Sequence, residues 1–188
     1  MSETWIGKRT VLGILRDSDT QKIKSFSFGG IGFDAQTFPL LAGFIDRGQI
    51  KVDDSGSDGS AEYDYKTNTI ILGFSWTLDY VKQALIVHEC THALYDVAKT
   101  KMSTAVSESI AYIVQCQYLL VKRGDGKRLT SPNKAKDLVF ELAWKMAAKI
   151  QKGDSVSLSE KNNLQEAVSK HPFYMGKSAG DAGFDGVK

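Results

Sequence analysis

One helical pattern constrains this chain more than anything else in it. From Thr77 to about Ala98 the apolar residues step by three and four, as one face of an α-helix requires. The stripe Leu78, Val81, Leu85, His88, His92, Tyr95 carries two histidines on that apolar face. Residues 90, 91, 93 and 94 are uncharged, so the helix is expected to be embedded in the protein. Thr77 reads as its N-cap, and Asp79 in the first turn suits the helix dipole. A buried polar group left unpaired costs roughly 1–3 kcal/mol. Histidines placed on the buried face therefore need partners.

The run His88-Glu89-Cys90-Thr91-His92 names the partner. Positions i and i+4 of a helix lie about 5–6 Å apart at Cβ. Two imidazoles at that spacing can share one tetrahedral zinc ion, with metal–nitrogen distances of about 2.0–2.1 Å. Glu89 lies about 100° around the helix from His88, beside the ion rather than on it. A carboxylate there can take a proton from a water polarised by the metal. The chain has three histidines. That two of them fall in this run, with a glutamate between, is poorly explained by chance.

Two imidazoles leave the ligand set short, because a catalytic zinc ordinarily takes three protein ligands and a water. Asp96 lies four residues past His92, about 6 Å further along the axis, where it suits orienting His92 better than reaching the ion. Glu108 fits better. It is the one charged residue between Ser107 and Val121, in a helix rich in Ile110, Ala111, Ile113, Val114, Leu119 and Leu120. A carboxylate buried alone is penalised or forced neutral, and a cation removes that penalty. The competing reading puts Glu108 in an exposed first turn, where acids suit the dipole.

The rest of the chain predicts an α+β fold, a small and mostly antiparallel sheet or hairpin followed by helices. Val11 to Leu15 reads as a strand, and Asp34 as the cap of a short helix over Phe38 to Ile45 closed by Gly48. Gln49 to Val52 reads as a strand. After a polar loop, residues 61–65 and 69–73 form a hairpin around Lys66-Thr67-Asn68. Helices follow from about Ser103 to Lys122, from Ser131-Pro132 to Gly153, and from a capping box at Ser157-Leu158-Ser159-Glu160. One domain over residues 1–174 and a flexible tail over 175–188 are expected.

A formal charge of +2 with scattered basic residues favours neither nucleic acid nor an anionic membrane as partner. The densest basic stretch, Lys122, Arg123, Lys127 and Arg128, is interrupted by Asp125 and two glycines and reads as a solvated loop. Two cysteines, Cys90 and Cys116, in apolar helical sequence are too few for a disulfide scaffold. With no apolar segment at the N-terminus, these features lead to the expectation of a cytoplasmic protein, with export by a route that needs no signal peptide left open.

Over residues 61–122 the chain resembles the gluzincin zinc metallopeptidases, in particular minimal single-domain members. The resemblance rests on His88-Glu89-Cys90-Thr91-His92, on Glu108 in the next helix, and on the hairpin ending Asn68-Thr69-Ile70-Ile71-Leu72. It implies a zincin-like fold, a zinc cofactor on His88, His92 and Glu108, and Glu89 as the base that activates water to cleave a peptide or protein substrate. It also implies that Ile71, Leu72, Gly73 and Phe74 line the substrate groove, against the alternative of an ordinary core strand. The family's oxyanion-stabilising Tyr or His has four candidates here: His171, Tyr174, Tyr95 and Tyr112. One departure is that Ser107, Ser109, Ala111 and Tyr112 flank Glu108, where several gluzincins place an aspartate or asparagine. A zinc-stabilised binding or toxin-like protein on the same scaffold is the competing function.

Overall fold

The computed structural model describes residues 5–187. In chain order the elements are helix α1 (Trp5–Arg16), strands β1 (Phe26–Phe28) and β2 (Ile31–Phe33), and helix α2 (Phe38–Asp46). Strands β3 (Lys51–Asp53), β4 (Ala61–Asp64) and β5 (Thr69–Leu72) come next. Helices α3 (Tyr80–Val97), α4 (Thr104–Arg123), α5 (Lys134–Lys152) and α6 (Leu158–Ser169) follow. The fold is α+β, and the chain divides into two compact units.

Among the described residues the first unit comprises 5–22, 35–100 and 183–187. Val11 to Leu15 is helical here, not the strand expected from its branched aliphatics. Gly7, Val11, Leu12, Ile14 and Leu15 are buried along one side of α1 while Gly13 is exposed, so burial at helical spacing decides the outcome over local β-propensity. Two helices thus precede the first unit's sheet. Helix α2 begins after a short 3-10 turn rather than at Asp34, whose carboxylate accepts a bond from Ser25 Oγ at 3.0 Å. Its end is as expected. Gly48 takes φ +72° and donates to Ile45 O, and Gln49 N reaches Phe44 O, the paired bonds that close a helix on a left-handed glycine.

Strand β5 runs antiparallel to β4 and parallel to β3, giving a three-stranded sheet in the order β3-β5-β4. The hairpin joining β4 to β5 turns at Asn68, held at φ +52°. Helix α3 starts two residues later than its sequence indicates. Asp79 is the N-cap, accepting from Val81 N at 2.8 Å, and Thr77 Oγ1 accepts from Asp79 N. Leu78 and Val81 are 70% and 40% exposed, so the inward stripe begins only at Ala84. From Ile86 to Ala93 every residue is buried.

The second unit comprises residues 23–34 and 101–182. Strands β1 and β2 form a hairpin across Gly29 and Gly30, both at positive φ, as a two-residue hairpin turn favours. Helix α4 is capped by Ser103 and α5 by Asn133, while α6 carries the full reciprocal capping box of Ser157 and Glu160. Ile110, Ile113, Val114, Tyr118, Val139 and Leu164 are fully buried. Buried Gln117 of α4 accepts from Lys24 N and Gln151 Nε2 and donates to Lys24 O, tying the chain before β1 and helix α5 to α4.

Of the tail expected over residues 175–188, Lys188 falls outside the described residues. The described part bonds back to the fold: Ala105 N donates to Ser178 O, Thr104 N to Gly180 O and Ala182 N to Met102 O. Within the first unit, Gly186 N donates to Asp96 Oδ1.

Candidate metal centre

His88 and His92 sit one turn apart on α3 and are 4% and 8% exposed. Their rings face each other edge to face, with centroids 5.0 Å apart. Strand β4 supplies the neighbouring contact. Glu89 is buried, and its Oε2 accepts the backbone N–H of Tyr63 at 2.9 Å. That bond fixes one carboxylate oxygen of Glu89. The Phe184 ring lies 6.3 Å from that of His92.

One turn beyond His92, Asp96 is fully buried and accepts from Tyr63 Oη at 2.7 Å and from Gly186 N at 3.0 Å. Tyr63 thus uses its main chain on Glu89 and its hydroxyl on Asp96, joining β4 to α3 at points about two turns apart. The Tyr63 phenol is pushed well above its ordinary range by burial, by its bond to Asp96 and by that residue's charge. It stays a donor. Asp96 is therefore committed to Tyr63 and Gly186, which suits a structural tie.

Cys90 lies within the motif, but burial and the adjacent Glu89 charge push its thiol far up. Cys116 is raised by burial as well. Both cysteines are free and buried, as their sequence context indicates. A neutral thiol is a poor metal ligand.

Glu108 is half-buried on α4. Around it in the second unit stand Tyr174, Tyr112 and His171. The Tyr174 hydroxyl lies 3.4 Å from the hydroxyl of Tyr112, which stands one turn past Glu108 on α4. Burial, then the Glu108 charge, raises the Tyr174 phenol beyond its usual range. His171 Nδ1 accepts from Phe173 N, and its ring centroid is 5.3 Å from that of Tyr174. Desolvation and the Lys136 charge lower the His171 pKa, against the opposing pull of Glu108. Tyr112 stacks edge-on against Phe140 at 5.6 Å. Tyr95, the remaining oxyanion candidate, is 5% exposed and its phenol is raised by burial.

His88, His92 and Glu108 are a group of residues that could hold a metal ion. Imidazole nitrogens and carboxylate oxygens are both metal-ligating atoms. Glu89 is a further acid, separate from that set.

Ile71, Leu72, Gly73 and Phe74, the residues expected to line the substrate groove, stand in and just after the middle strand of the three. Strand β5 is central, and Ile71 pairs with Asp53 on one side and Glu62 on the other. Gly73 N donates to Ser60 O, and Gly73 O accepts from Gly59 N. A Cβ at Gly73 would come within 2.7 Å of the backbone nitrogens of Gly59 and Ser60. Phe74 is buried, with the Lys82 ammonium over its ring. Ile71 thus has a paired strand on either side, and Gly73 is bonded through both of its main-chain groups to residues 59 and 60. The sequence signals three strands but not their order, and nothing in it singles out Tyr63.

The basic stretch near residue 125 is internally compensated. Arg123 pairs with Asp125, and Arg128 forms a two-pronged pair with Asp137. No helix among the described residues is long and apolar enough to cross a membrane. Compared with protein families, curated proteins and solved structures, the chain matches none.

Proposed function

We propose that this chain is a zinc-dependent hydrolase of zincin-like type, a metallopeptidase in which His88, His92 and Glu108 hold the ion and Glu89 is the general base. The observation that carries the reading is a two-histidine, one-carboxylate group that could hold a metal ion, with a further buried carboxylate, Glu89, between the histidines in sequence and outside that group. A purely structural ion has no use for that second acid.

A bound zinc ion would supply Lewis acidity at the scissile carbonyl and a lowered water pKa. The remaining chemistry belongs to the chain. The Tyr63 N–H holds one oxygen of Glu89, leaving the other to take a proton from the attacking water. Glu89 then returns that proton to the leaving amine, so the proton balance closes within one residue. The His88 and His92 rings are buried at the centre of a packed helix, which keeps the donors in place between turnovers. The substrate is a peptide or protein.

The competing reading is a non-catalytic protein stabilised by a metal, and the bond from Tyr63 N to Glu89 favours it by giving that acid a structural task. Glu89→Gln separates the two. General acid–base catalysis is worth about 10²–10⁴-fold, so peptide hydrolysis should fall by that much with zinc content unchanged. Equal hydrolysis by the variant contradicts the base assignment, and the absence of hydrolysis in wild-type protein across a peptide library supports the competing reading.

A further inference from the structure

Glu108 has no acid or amide beside it in α4 to orient its carboxylate; its helix neighbours are Ser107, Ser109, Ala111 and Tyr112. The chain supplies the support from elsewhere in the second unit. After α6, residues 171–182 turn on bonds from Tyr174 N and Met175 N to His171 O and from Ser178 N to Tyr174 O. The segment then meets the start of α4. Ser178 O accepts from Ala105 N at 3.0 Å, Gly180 O accepts from Thr104 N at 2.9 Å, and Ser103 and Asp181 form an antiparallel bridge.

The first N–H groups of a helix have no intrahelical acceptor. Two of those of α4 are satisfied by this strap, and Ser103 Oγ takes that of Val106. The strap is thereby fixed in register against the turn that leads to Glu108. Tyr174 is the strap's one tyrosine. Its hydroxyl lies 3.4 Å from that of Tyr112, one turn past Glu108 on the same helix, which puts it within reach of the Glu108 carboxylate, whose charge acts on the Tyr174 phenol.

We propose that Tyr174 is a positioning residue for the metal centre, donating its phenolic hydrogen to one Glu108 oxygen so that the other is presented to the ion, with the 171–182 strap holding it there. The inference rests on His88, His92 and Glu108 being metal ligands. It gives Tyr174 a task on the protein side of the ion instead of on the substrate. Partners of this kind restrict a ligating carboxylate to one orientation, and losing one typically lowers metal affinity by about 10–100-fold.

The test uses the full chain. Zinc affinity is measured by competition with a chromophoric chelator, and the visible spectrum is recorded after cobalt substitution, for wild type, Tyr174→Phe, Tyr112→Phe and the exposed control Tyr80→Phe. Tyr174→Phe should weaken zinc binding about 10–100-fold and shift the cobalt bands, with the melting temperature close to wild type. Tyr112→Phe should cause a smaller loss, and Tyr80→Phe none. Wild-type affinity in Tyr174→Phe overturns the role of Tyr174 while leaving the metal centre standing. A wild-type chain that takes up neither ion overturns both. Should Tyr174→Phe fail to fold, Tyr112→Phe carries the test: unchanged affinity and spectrum there overturn the hydroxyl chain.

Discussion

Helices α3 and α4 each carry part of the candidate centre, and they fix their side chains by different means. On α3 the imidazoles sit in an unbroken buried stretch from Ile86 to Ala93. The polar ties nearby are buried too, from Tyr63 to Glu89 and to Asp96. Glu108 on α4 is half-buried, and the groups we assign to orient it are two tyrosine hydroxyls, one of them on a strap more than sixty residues further along the chain. Packing fixes a ring through its shape, whereas a carboxylate at a partly open position needs directional donors. The histidines are therefore held by their own helix and its immediate neighbours, and the acid by a distant segment.

The largest effect on stability should come from breaking the buried ties of α3. Asp96→Ala leaves the Tyr63 hydroxyl and Gly186 N–H without their acceptor in a fully buried setting. The expected cost is about 1–3 kcal/mol, read by denaturant unfolding. A loss below about 0.5 kcal/mol, the level of an ordinary surface change, would show that these ties are not what holds the region, and the contrast with α4 would fail.

A smaller effect sharpens the contrast from the other side. In the second unit, Glu160 at the start of α6 is drawn down to about 2, first by its bond to Lys149 and then by the backbone and hydroxyl of Ser157. Its folded pKa lies below the ordinary value of 4.5, so its contribution is present above the unfolded value and is lost as pH falls through the folded one. Glu160→Gln should lower the melting temperature slightly at neutral pH. The gap to wild type should close as pH drops from about 4.5 toward about 2. A gap that persists at the acid end would mean that the charge is not the source. This pair lies at the surface, so added salt should weaken it; the ties of α3 should be indifferent to salt.

What the sequence discloses follows the same division. The spacing of His88 and His92, the capping box at Ser157 and the turn at Asn68 are local patterns, readable because the interacting residues lie within a few positions of one another. Glu108 stands out in the sequence because an isolated acid in an apolar helix demands an explanation. Val11 to Leu15 misleads because a short aliphatic run satisfies strand and helix templates alike, and the buried partners that decide between them come from distant segments. The order β3-β5-β4 is hidden for the same reason: β3 enters beside β5 by a parallel pairing that no hairpin signal announces. Residues 175–187, rich in glycine and small polar residues, read as unstructured because their bonds are made by main-chain groups, which leave no mark in side-chain patterning. Tyr174 stands level with three other candidates in the sequence, and only the strap sets it apart.

The most direct test of the central claim is elemental analysis of zinc per chain in wild-type protein, His88→Ala and Glu108→Ala, each shown to be folded. About one zinc per wild-type chain is expected, as one tetrahedral site requires, with close to none in His88→Ala and a strong reduction in Glu108→Ala. Full occupancy in both variants, or none in the wild type, would contradict a metal centre built on these residues.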